Sequence, residues 1–287
     1  MQHQQIVFMN RKFFFSIFAV LFFATAIGQP KGNLFIIGGG DRSPQLIETL
    51  IATAHLSAKD YIVVLPMATS EPDTSYYYIK SQLEKTCDNT IANLNFARKD
   101  TTNQVWLDSL QKARLIFITG GDQARFMNVV LHTPIEQAIK KAYNNGATIA
   151  GTSAGAAVMP EHMITGEHLL GDTTYYSTFK ELRNNNIEIK EGLGLLTSAV
   201  VDQHFIVRSR YNRLLSALAK YPALPCIGID EGTAIIVHGD NVRIAGDGQV
   251  ILFANPKNLR YTNAGYIKFD DVRMSIFSDG DSFRLGN

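Results

Sequence analysis

The chain of 287 residues is poor in cysteine, has no excess of either charge and contains no apolar run long enough for a typical membrane-spanning helix. Its two cysteines, Cys87 and Cys226, lie far apart in the sequence and define no disulfide framework. We predict two free thiols, with Cys226 as a small buried apolar residue, and one disulfide is the alternative open to an exported chain. With 27 basic against 26 acidic side chains, the balanced charge argues against a nucleic-acid partner.

Motifs for metals and nucleotides are also missing. The sequence contains no H-E-x-x-H and no cysteine pair at ligand spacing, and His162 and His168 stand six residues apart in an expected loop. Gly-Gly-Gly-Asp at 38–41 follows the first expected strand, but it lacks both the G-x-G-x-x-G pattern and the lysine of a phosphate-binding loop. We therefore predict a protein that uses neither a metal nor a cofactor.

Residues 1–28 have the layout of a secretory signal peptide. A basic pair, Arg11 and Lys12, precedes an apolar stretch over 13–27 that ends among small residues. That stretch is shorter than the roughly 20 apolar residues of a bilayer-spanning helix, and no stop-transfer charges follow it, which disfavours a membrane anchor. We predict an exported protein, periplasmic or extracellular, that has no membrane contact after cleavage, with Met9 as an alternative start.

The rest of the chain, residues 29–287, is expected to form a single α/β domain. Short β-branched runs alternate with longer helical stretches, which predicts a mostly parallel sheet with helices on both faces. The expected strands lie at 34–37, 61–65, 114–118, 147–150 and 199–201, and the expected helices at 45–58, 75–84, 124–144 and 209–220. The polar stretch 161–190 is expected to be a long loop or insertion. From residue 227 onward, turn-rich alternation predicts an antiparallel C-terminal β-hairpin extension.

The sharpest chemical motif is Gly-Thr-Ser-Ala-Gly at 151–155, a G-x-S-x-G between a buried strand and a helical stretch. A serine on such a tight turn is exposed for nucleophilic attack, and the N–H that follows it can face a developing oxyanion. The alternative is a glycine-rich turn in which Ser153 only caps the helix.

A nucleophilic serine needs a base, and His204 lies just past one expected strand and before a helix, where catalytic groups of α/β folds converge. An orienting carboxylate can come from Asp230 or Glu231, which follow another strand. Thr-Gly-Gly-Asp-Gln at 119–123 also follows a strand, so its glycine backbone and Gln123 are expected at the same edge, as oxyanion donor and substrate contact.

These motifs, in their order along the chain, resemble the cyanophycinase family of serine-type exopeptidases, which is related to dipeptidase E. The resemblance rests on residues 38–41, 119–123 and 151–156, on Asp-Gln-His-Phe at 202–205 and on Gly-Ile-Asp-Glu-Gly-Thr-Ala at 228–234. It spans nearly the whole chain after the signal peptide. The family resemblance implies a flavodoxin-like fold, shared with class I glutamine amidotransferases.

The resemblance also implies roles for individual residues. Ser153 would be the nucleophile, His204 the base and Glu231 the carboxylate of a triad, and the N–H groups of Gly121 and Ala154 would be the oxyanion donors. The family's substrate is cyanophycin, a poly-aspartate chain with arginine on each β-carboxyl group, and its products are β-Asp-Arg dipeptides.

Substrate recognition would fall to residues around His204. Arg208 and Arg213 match family arginines and would pair with substrate α-carboxylates, since guanidinium forks suit carboxylates. Gln123, Asp202 and Gln203 match pocket positions, and Asp202 is our hypothesis for the partner of the substrate guanidinium. The alternative for both arginines is a solvated helix face.

Three functions remain open from the sequence. The first is a cyanophycinase-like peptidase acting on cyanophycin or another β-aspartyl peptide. The second is an exported dipeptidase E-like or other acyl hydrolase, and the third is a catalytically silent binding domain of the same fold. A homodimer is also left open. Function depends on the site rather than on the fold, so the geometry of Ser153 and its neighbours is the next evidence required.

Overall fold

The computed structural model describes residues 31–170 and 180–286. The expected signal peptide therefore lies outside the described residues. The strands are β1 (Asn33–Ile37), β2 (Tyr61–Leu65), β3 (Thr90–Asn93), β4 (Leu115–Ile118), β5 (Thr148–Thr152), β6 (His162–His168), β7 (Ile187–Glu191), β8 (Val200–Asp202), β9 (Cys226–Ile229), β10 (Thr233–His238), β11 (Asn241–Gly246), β12 (Val250–Lys257), β13 (Arg260–Tyr261), β14 (Ile267–Lys268), β15 (Asp271–Phe277) and β16 (Ser282–Arg284). The helices are α1 (Pro44–Ala54), α2 (Pro72–Leu83), α3 (Gln104–Lys112), α4 (Gln123–Val130), α5 (Pro134–Asn144), α6 (Ala154–Ala157) and α7 (Tyr211–Lys220), with a 3₁₀ turn at Arg98–Asp100.

The main sheet has eight strands in the order β16-β11-β10-β1-β5-β4-β2-β3. The strands from β1 to β3 in that order are mutually parallel, while β10, β11 and β16 extend the sheet antiparallel from β1. Two of the inner parallel strands, β2 and β4, are continuous apolar runs, as is typical of strands covered on both faces. The α/β class, the mostly parallel sheet and the C-terminal hairpin extension are confirmed.

Two apolar clusters cover the two faces of this sheet. On one face α1 and α2 pack with side chains such as Leu50, Ile79 and Phe117. On the other face α3, α4 and α5 pack with Phe126, Ile139 and many other residues. The helices therefore lie on both faces, as the alternating pattern predicted.

The stretch from 124 to 144, expected as one helix, is two helices, α4 and α5. His132 has a positive φ of 58°, and Thr133 caps α5 by accepting a hydrogen bond from the N–H of Ile135. Pro134 opens α5, because proline lacks the N–H that a continuing helix needs. The prediction of an unbroken helix there is wrong.

The segment expected to be a long loop contains a β-hairpin. Strands β6 and β7 pair antiparallel, with Ile164 opposite Ile189. Their inward residues join a third apolar cluster with α7 and a four-stranded sheet of order β15-β12-β9-β8. Weak alternation and many polar residues hid these strands, because only a few of their side chains face this cluster.

Both cysteines are free thiols in the structure, with Cys226 buried and Cys87 half-buried. Burial raises the pKa of each thiol above its ordinary value. None of the helices in the two described ranges is long and apolar enough to cross a membrane. Within those same ranges, no group of three or more His, Cys, Asp and Glu side chains could hold a metal ion.

Candidate active site

Ser153 lies on a tight turn between β5 and α6. Its φ of 54° and ψ of −111° place its backbone in a conformation that residues other than glycine rarely adopt. Gly151 and Gly155 make the turn sterically feasible: a Cβ built on Gly151 would lie 2.4 Å from the Gly155 carbonyl oxygen, and one on Gly155 would lie 2.2 Å from that of Ile118. The alternative of a simple helix cap finds no support in the hydrogen bonds, because the Ser153 side chain does not cap α6.

Three polar side chains form one hydrogen-bonded chain at this turn. The Oγ of Ser153 lies 2.8 Å from Nε2 of His204, and Nδ1 of His204 lies 2.5 Å from Oε1 of Glu231. His204 is buried, whereas Glu231 is partly exposed. The structure thus brings together the serine, histidine and carboxylate that lie far apart in the sequence.

The imidazole is poised to accept a proton. Burial lowers the pKa of His204, the nearby charge of Arg208 lowers it further, and the hydrogen bond that His204 makes to Glu231 opposes both effects. The neutral ring is therefore favoured, with Nδ1–H donating to Glu231 and Nε2 accepting from the serine hydroxyl. Such an arrangement can withdraw the hydroxyl proton as the oxygen attacks a carbonyl group.

The carbonyl groups of Ile37, Gly38 and Gly39, at the end of β1, hold all three segments of this site. The Ile37 carbonyl accepts from the N–H of Ser153 at 3.1 Å, and the Gly38 carbonyl accepts from the N–H of His204 at 2.6 Å. The Gly39 carbonyl accepts from the N–H of Gly232, next to Glu231, at 2.9 Å. Three successive carbonyl groups therefore set the spacing of the polar chain.

The glycines that follow β1 also leave room for the reacting side chains. A Cβ built on Gly39, whose φ is 109°, would lie 2.2 Å from Cε1 of His204, and one on Gly40 would lie 2.7 Å from the Cβ of Glu231. From the sequence, Gly-Gly-Gly-Asp was a weak phosphate motif and one of the motifs of the family resemblance, with no role assigned to its glycines. The structure shows instead that these glycines form a floor beneath His204 and Glu231.

Of the two neighbouring carboxylates, Glu231 faces His204 and Asp230 faces away. Oδ1 of Asp230 accepts hydrogen bonds from the N–H groups of Ile206 and Val207, each at 3.0 Å. It therefore fixes the loop that follows His204. His204 itself has a positive φ of 48°, so its backbone depends on such contacts.

The loop expected to hold an oxyanion donor does lie against Ser153. A Cβ built on Gly120 would lie 3.4 Å from the Cβ of Ser153. Gly121, with a φ of 137°, packs against the carbonyl of Ala68 so closely that a side chain would collide with it at 2.3 Å. Ala154 follows Ser153 directly as the first residue of α6, with its N–H at the start of that helix.

The expected substrate residues divide into two groups. Arg208 is exposed, and it is close enough to His204 for its charge to act on the ring. Gln123 is half-buried, and its amide donates to the Thr165 carbonyl at 2.6 Å, which ties α4 to β6.

The second group is a buried network, formed by Asp202, Gln203 and Arg213. The Nε of Arg213 donates to Oδ2 of Asp202 at 2.8 Å, and its Nη2 bonds the other carboxylate oxygen. Arg210, which the sequence argument did not single out, donates from Nη1 to the carbonyl of Gln203 at 2.7 Å and to its side-chain oxygen. In this structure Arg213 and Asp202 satisfy each other rather than face an open pocket.

Ser153 opens into a pocket of about 230 Å³. Its wall contains Arg42, Ser75, Tyr78 and Thr152 as well as Ser153 and His204. The fold and this site together define a class, that of α/β enzymes with a serine–histidine–carboxylate centre for acyl transfer.

Comparison with known proteins places the chain within that class. The model of peptidase family S51 matches residues 34–245, and the chain belongs to this family. It is 34% identical over 268 residues to a cyanophycinase from Trichormus variabilis, covering 89% of this chain and 86% of that relative. A cyanophycinase from Geminocystis herdmanii is 30% identical over 88% of this chain and 93% of its own length. The protein is a serine peptidase.

Solved structures show the same fold. A peptidase from an acI-B1 Actinobacterium superposes with a TM-score of 0.63 at 22% identity, over 90% of this chain and 98% of that one. A putative peptidase E from Listeria monocytogenes superposes with a TM-score of 0.52 at 15% identity, over 76% of this chain and 99% of that one. Both similarities concern the fold alone.

Proposed function

We propose that this protein is an exopeptidase that hydrolyses cyanophycin to β-Asp-Arg dipeptides, with Ser153 as nucleophile, His204 as base and Glu231 as the orienting carboxylate. The observation that carries the proposal is the hydrogen-bonded chain Ser153–His204–Glu231 in a member of family S51. The cyanophycinases among its relatives support the choice of substrate.

The reaction proceeds through an acyl-enzyme. The Oγ of Ser153 attacks the scissile carbonyl carbon while its proton passes to Nε2 of His204, and Glu231 stabilises the imidazolium that forms. The tetrahedral oxyanion accepts hydrogen bonds from the N–H groups of Ala154 and Gly121. His204 then gives the proton to the leaving amine. In the second half of the reaction, water attacks the acyl carbonyl carbon while its proton passes to Nε2 of His204. The bond to Oγ of Ser153 then breaks, His204 returns the proton to Oγ, and the acyl group leaves as a carboxylic acid.

Among the substrate-binding residues expected from the sequence, Arg208 is the one whose position best supports direct contact with substrate. It is exposed and acts electrostatically on His204, so an anionic substrate group beside it would lie near the reacting bond. The buried network of Asp202, Gln203 and Arg213 supports substrate binding indirectly. Its hydrogen bonds hold in place the segment that carries both His204 and Arg208.

The proposal includes export from the cytoplasm. The basic pair Arg11 and Lys12, followed by an apolar stretch, supports a cleaved signal peptide. We expect the mature chain to begin near Ile27 or Gln29. N-terminal sequencing of protein from the native host checks this, and recovery of an intact, membrane-embedded N-terminus would reverse the assignment.

The test of function supplies purified protein with cyanophycin and, separately, with α-Asp-X dipeptides, and identifies the products by mass spectrometry. We expect β-Asp-Arg from the polymer and no comparable cleavage of the dipeptides. Ser153→Ala removes the nucleophile, so turnover should fall by about 10⁴-fold or more. Cleavage of α-aspartyl dipeptides alone would identify a dipeptidase E-like enzyme instead, and unchanged turnover in Ser153→Ala would refute the mechanism.

A further inference from the structure

The pocket beside Ser153 has an arginine in its wall. Arg42 lies there together with Tyr78 of α2. Neither residue belongs to the motifs around Ser153, His204 and Glu231, and neither takes part in the proton transfer described above. Their side chains nevertheless border the space in which a substrate bound at Ser153 must lie.

Three contacts hold the Arg42 side chain in one orientation, and a hydrogen bond holds the Tyr78 ring against which it packs. Its Nε donates to Oε1 of Gln82 at 2.9 Å, and its Nη1 donates to the Gly40 carbonyl at 3.4 Å. Its guanidinium carbon lies 5.2 Å from the centre of the Tyr78 ring. The hydroxyl of Tyr78 donates in turn to Oδ1 of Asp41 at 3.0 Å. The guanidinium is therefore positioned before any ligand arrives, which reduces the entropy lost on binding.

This arginine has no carboxylate partner among the described residues. No ion pair forms to it there, and its Nη2 group makes no hydrogen bond to them. Burial lowers the pKa of Arg42, and this effect outweighs the opposing influence of Tyr78 and of the Asp41 charge, so the guanidinium is poorly solvated in this position. Arg213 provides the contrast, because its buried charge is matched by Asp202. A desolvated cation with no carboxylate at ion-pair distance is stabilised further by an anion that enters the pocket.

A second polar atom in the same wall also lacks a partner. The Oγ1 of Thr152 is buried without a hydrogen-bond partner in the described part of the chain, and Thr152 is only 7% exposed. Buried polar atoms are almost always paired, so an unpaired one in a pocket wall points to a ligand. One guanidinium with neutral hydroxyl donors at Thr152 and Ser75 suits an anion of single charge.

We propose that Arg42 is a substrate-recognition residue, and that its guanidinium binds the α-carboxylate of a substrate arginine while the peptide carbonyl lies at Ser153. The choice of that carboxylate rests on the proposed function, because in a β-Asp-Arg polymer each repeat keeps this one negative group. Tyr78 and Gln82 are positioning residues, since they act only through Arg42.

The kinetic test compares β-Asp-Arg oligomers with the same oligomers carrying arginine α-amides. A lost charge-assisted hydrogen bond corresponds to about a 10- to 150-fold fall in kcat/KM, so Arg42→Met should lose that much on the acidic oligomers. On the amides the variant and wild type should be equal. On the acidic oligomers, the kcat/KM of Arg42→Lys should lie between those of wild type and Arg42→Met, because lysine keeps the charge without the planar fork.

The matched control is Arg98→Met, which removes an exposed arginine whose side chain makes no ion pair in the described ranges. It should leave both substrates unaffected. Equal losses for Arg42→Met on acidic and amidated oligomers would show that Arg42 supports the fold of the pocket, and the proposal would be overturned.

A binding experiment separates this inference from the proposed function. Calorimetry measures the affinity of two variants, Ser153→Ala and Ser153→Ala/Arg42→Met, for β-Asp-Arg and for each of its two mono-amides. We expect binding to weaken by about 10- to 150-fold on losing either Arg42 or the arginine carboxylate, with no further loss when both are absent. That result in an enzyme that does not degrade cyanophycin would refute the proposed function and keep the inference.

Three outcomes of this binding experiment would overturn the inference. One is an affinity that does not depend on Arg42, and another is the absence of any binding to Ser153→Ala. The third is sensitivity only to the amide at the aspartyl carboxyl group, because the arginine carboxylate would then not be the bound group.

Discussion

The segment from β8 to α7 contributes to two polar clusters that differ in burial and in partners. The first is the reactive chain, in which His204 connects Ser153 to the partly exposed Glu231. The second is the buried network of Asp202, Gln203, Arg210 and Arg213, whose charged groups are almost completely removed from solvent. Residues two positions apart in the sequence thus belong to environments with different physical demands.

The difference shows how one short segment can serve chemistry and structure together. In the reactive chain the hydroxyl and imidazole keep a face open to substrate, so their hydrogen bonds can rearrange during a reaction. In the buried network each charge is matched inside the protein, and removing one partner would leave the other desolvated. We therefore expect substitutions in the first cluster to change rate without stability, and substitutions in the second to change stability first.

Among the substitutions that compare the two clusters, Glu231→Gln is expected to have the largest effect. The amide keeps the size of the side chain but cannot stabilise the imidazolium, so kcat should fall by roughly 10³- to 10⁴-fold. The partly exposed position means that the free energy of unfolding should change little. Steady-state kinetics and a urea denaturation curve check the two halves of this prediction. A variant with normal kcat would remove Glu231 from the mechanism.

In the buried network, Arg213→Met should lower the free energy of unfolding by about 3 to 5 kcal/mol, because Asp202 would stay buried without its main partner. The matched control is Arg260→Met, which breaks the pair that Arg260 forms with Asp270 at 2.6 Å on the surface. Surface pairs contribute little, so its loss should be much smaller. Chemical denaturation measures both. Equal losses in the two variants would mean that burial does not distinguish these ion pairs.

Gly39→Ala tests whether the reactive chain depends on the space beside His204. The new Cβ would lie 2.2 Å from Cε1 of His204, so the ring must leave its present position, and the φ of 109° adds backbone strain for alanine. A displacement of about 1 Å at a reacting group can cost roughly 10²-fold in rate, and we expect a loss of that order in kcat. Gly265→Ala is the control, because Gly265 also has a positive φ, of 82°, but nothing lies within 4 Å of a Cβ at that position, so it tests backbone strain without the clash. Full activity in Gly39→Ala would show that the glycine is not required to seat His204.

The smallest effect is a change in pH dependence. Activity requires neutral His204, so the rate should rise with pH as the ring loses its proton, at a pH below the ordinary pKa of histidine. The charge of Arg208 helps to lower the pKa of His204, so Arg208→Ala should raise it and move the acidic limb to higher pH. An uncharged ester substrate isolates this effect from substrate binding. A shift to lower pH, or none, would contradict the assigned electrostatics.

Much of the reactive chain could be predicted from the sequence because its parts follow strands. Ser153 lies in a recognisable turn motif, and His204 and Glu231 follow β8 and β9 at the edge where parallel strands end. The alternation of apolar runs likewise predicted the parallel sheet. These features depend on local patterns, which one sequence displays directly.

What the sequence did not reveal depends on contacts between distant segments. Arg42 meets Gln82 forty residues away, and nothing in the residues around either one indicates the contact. Arg213 lies on α7, where an arginine is more often exposed on the helix surface. In the structure its side chain is buried and donates to Asp202. Similarly, the three carbonyl groups after β1 act through backbone hydrogen bonds, which leave no mark on side-chain chemistry.

The most direct test of the account measures covalent modification of Ser153 by a small sulfonyl fluoride, followed by intact-mass and peptide mass spectrometry over a range of pH. The account predicts a single adduct on Ser153, formed at a rate that rises with pH as His204 becomes neutral and that falls sharply in Glu231→Gln. Modification at another residue, or a rate on Ser153 that is the same in wild type and Glu231→Gln, would contradict it.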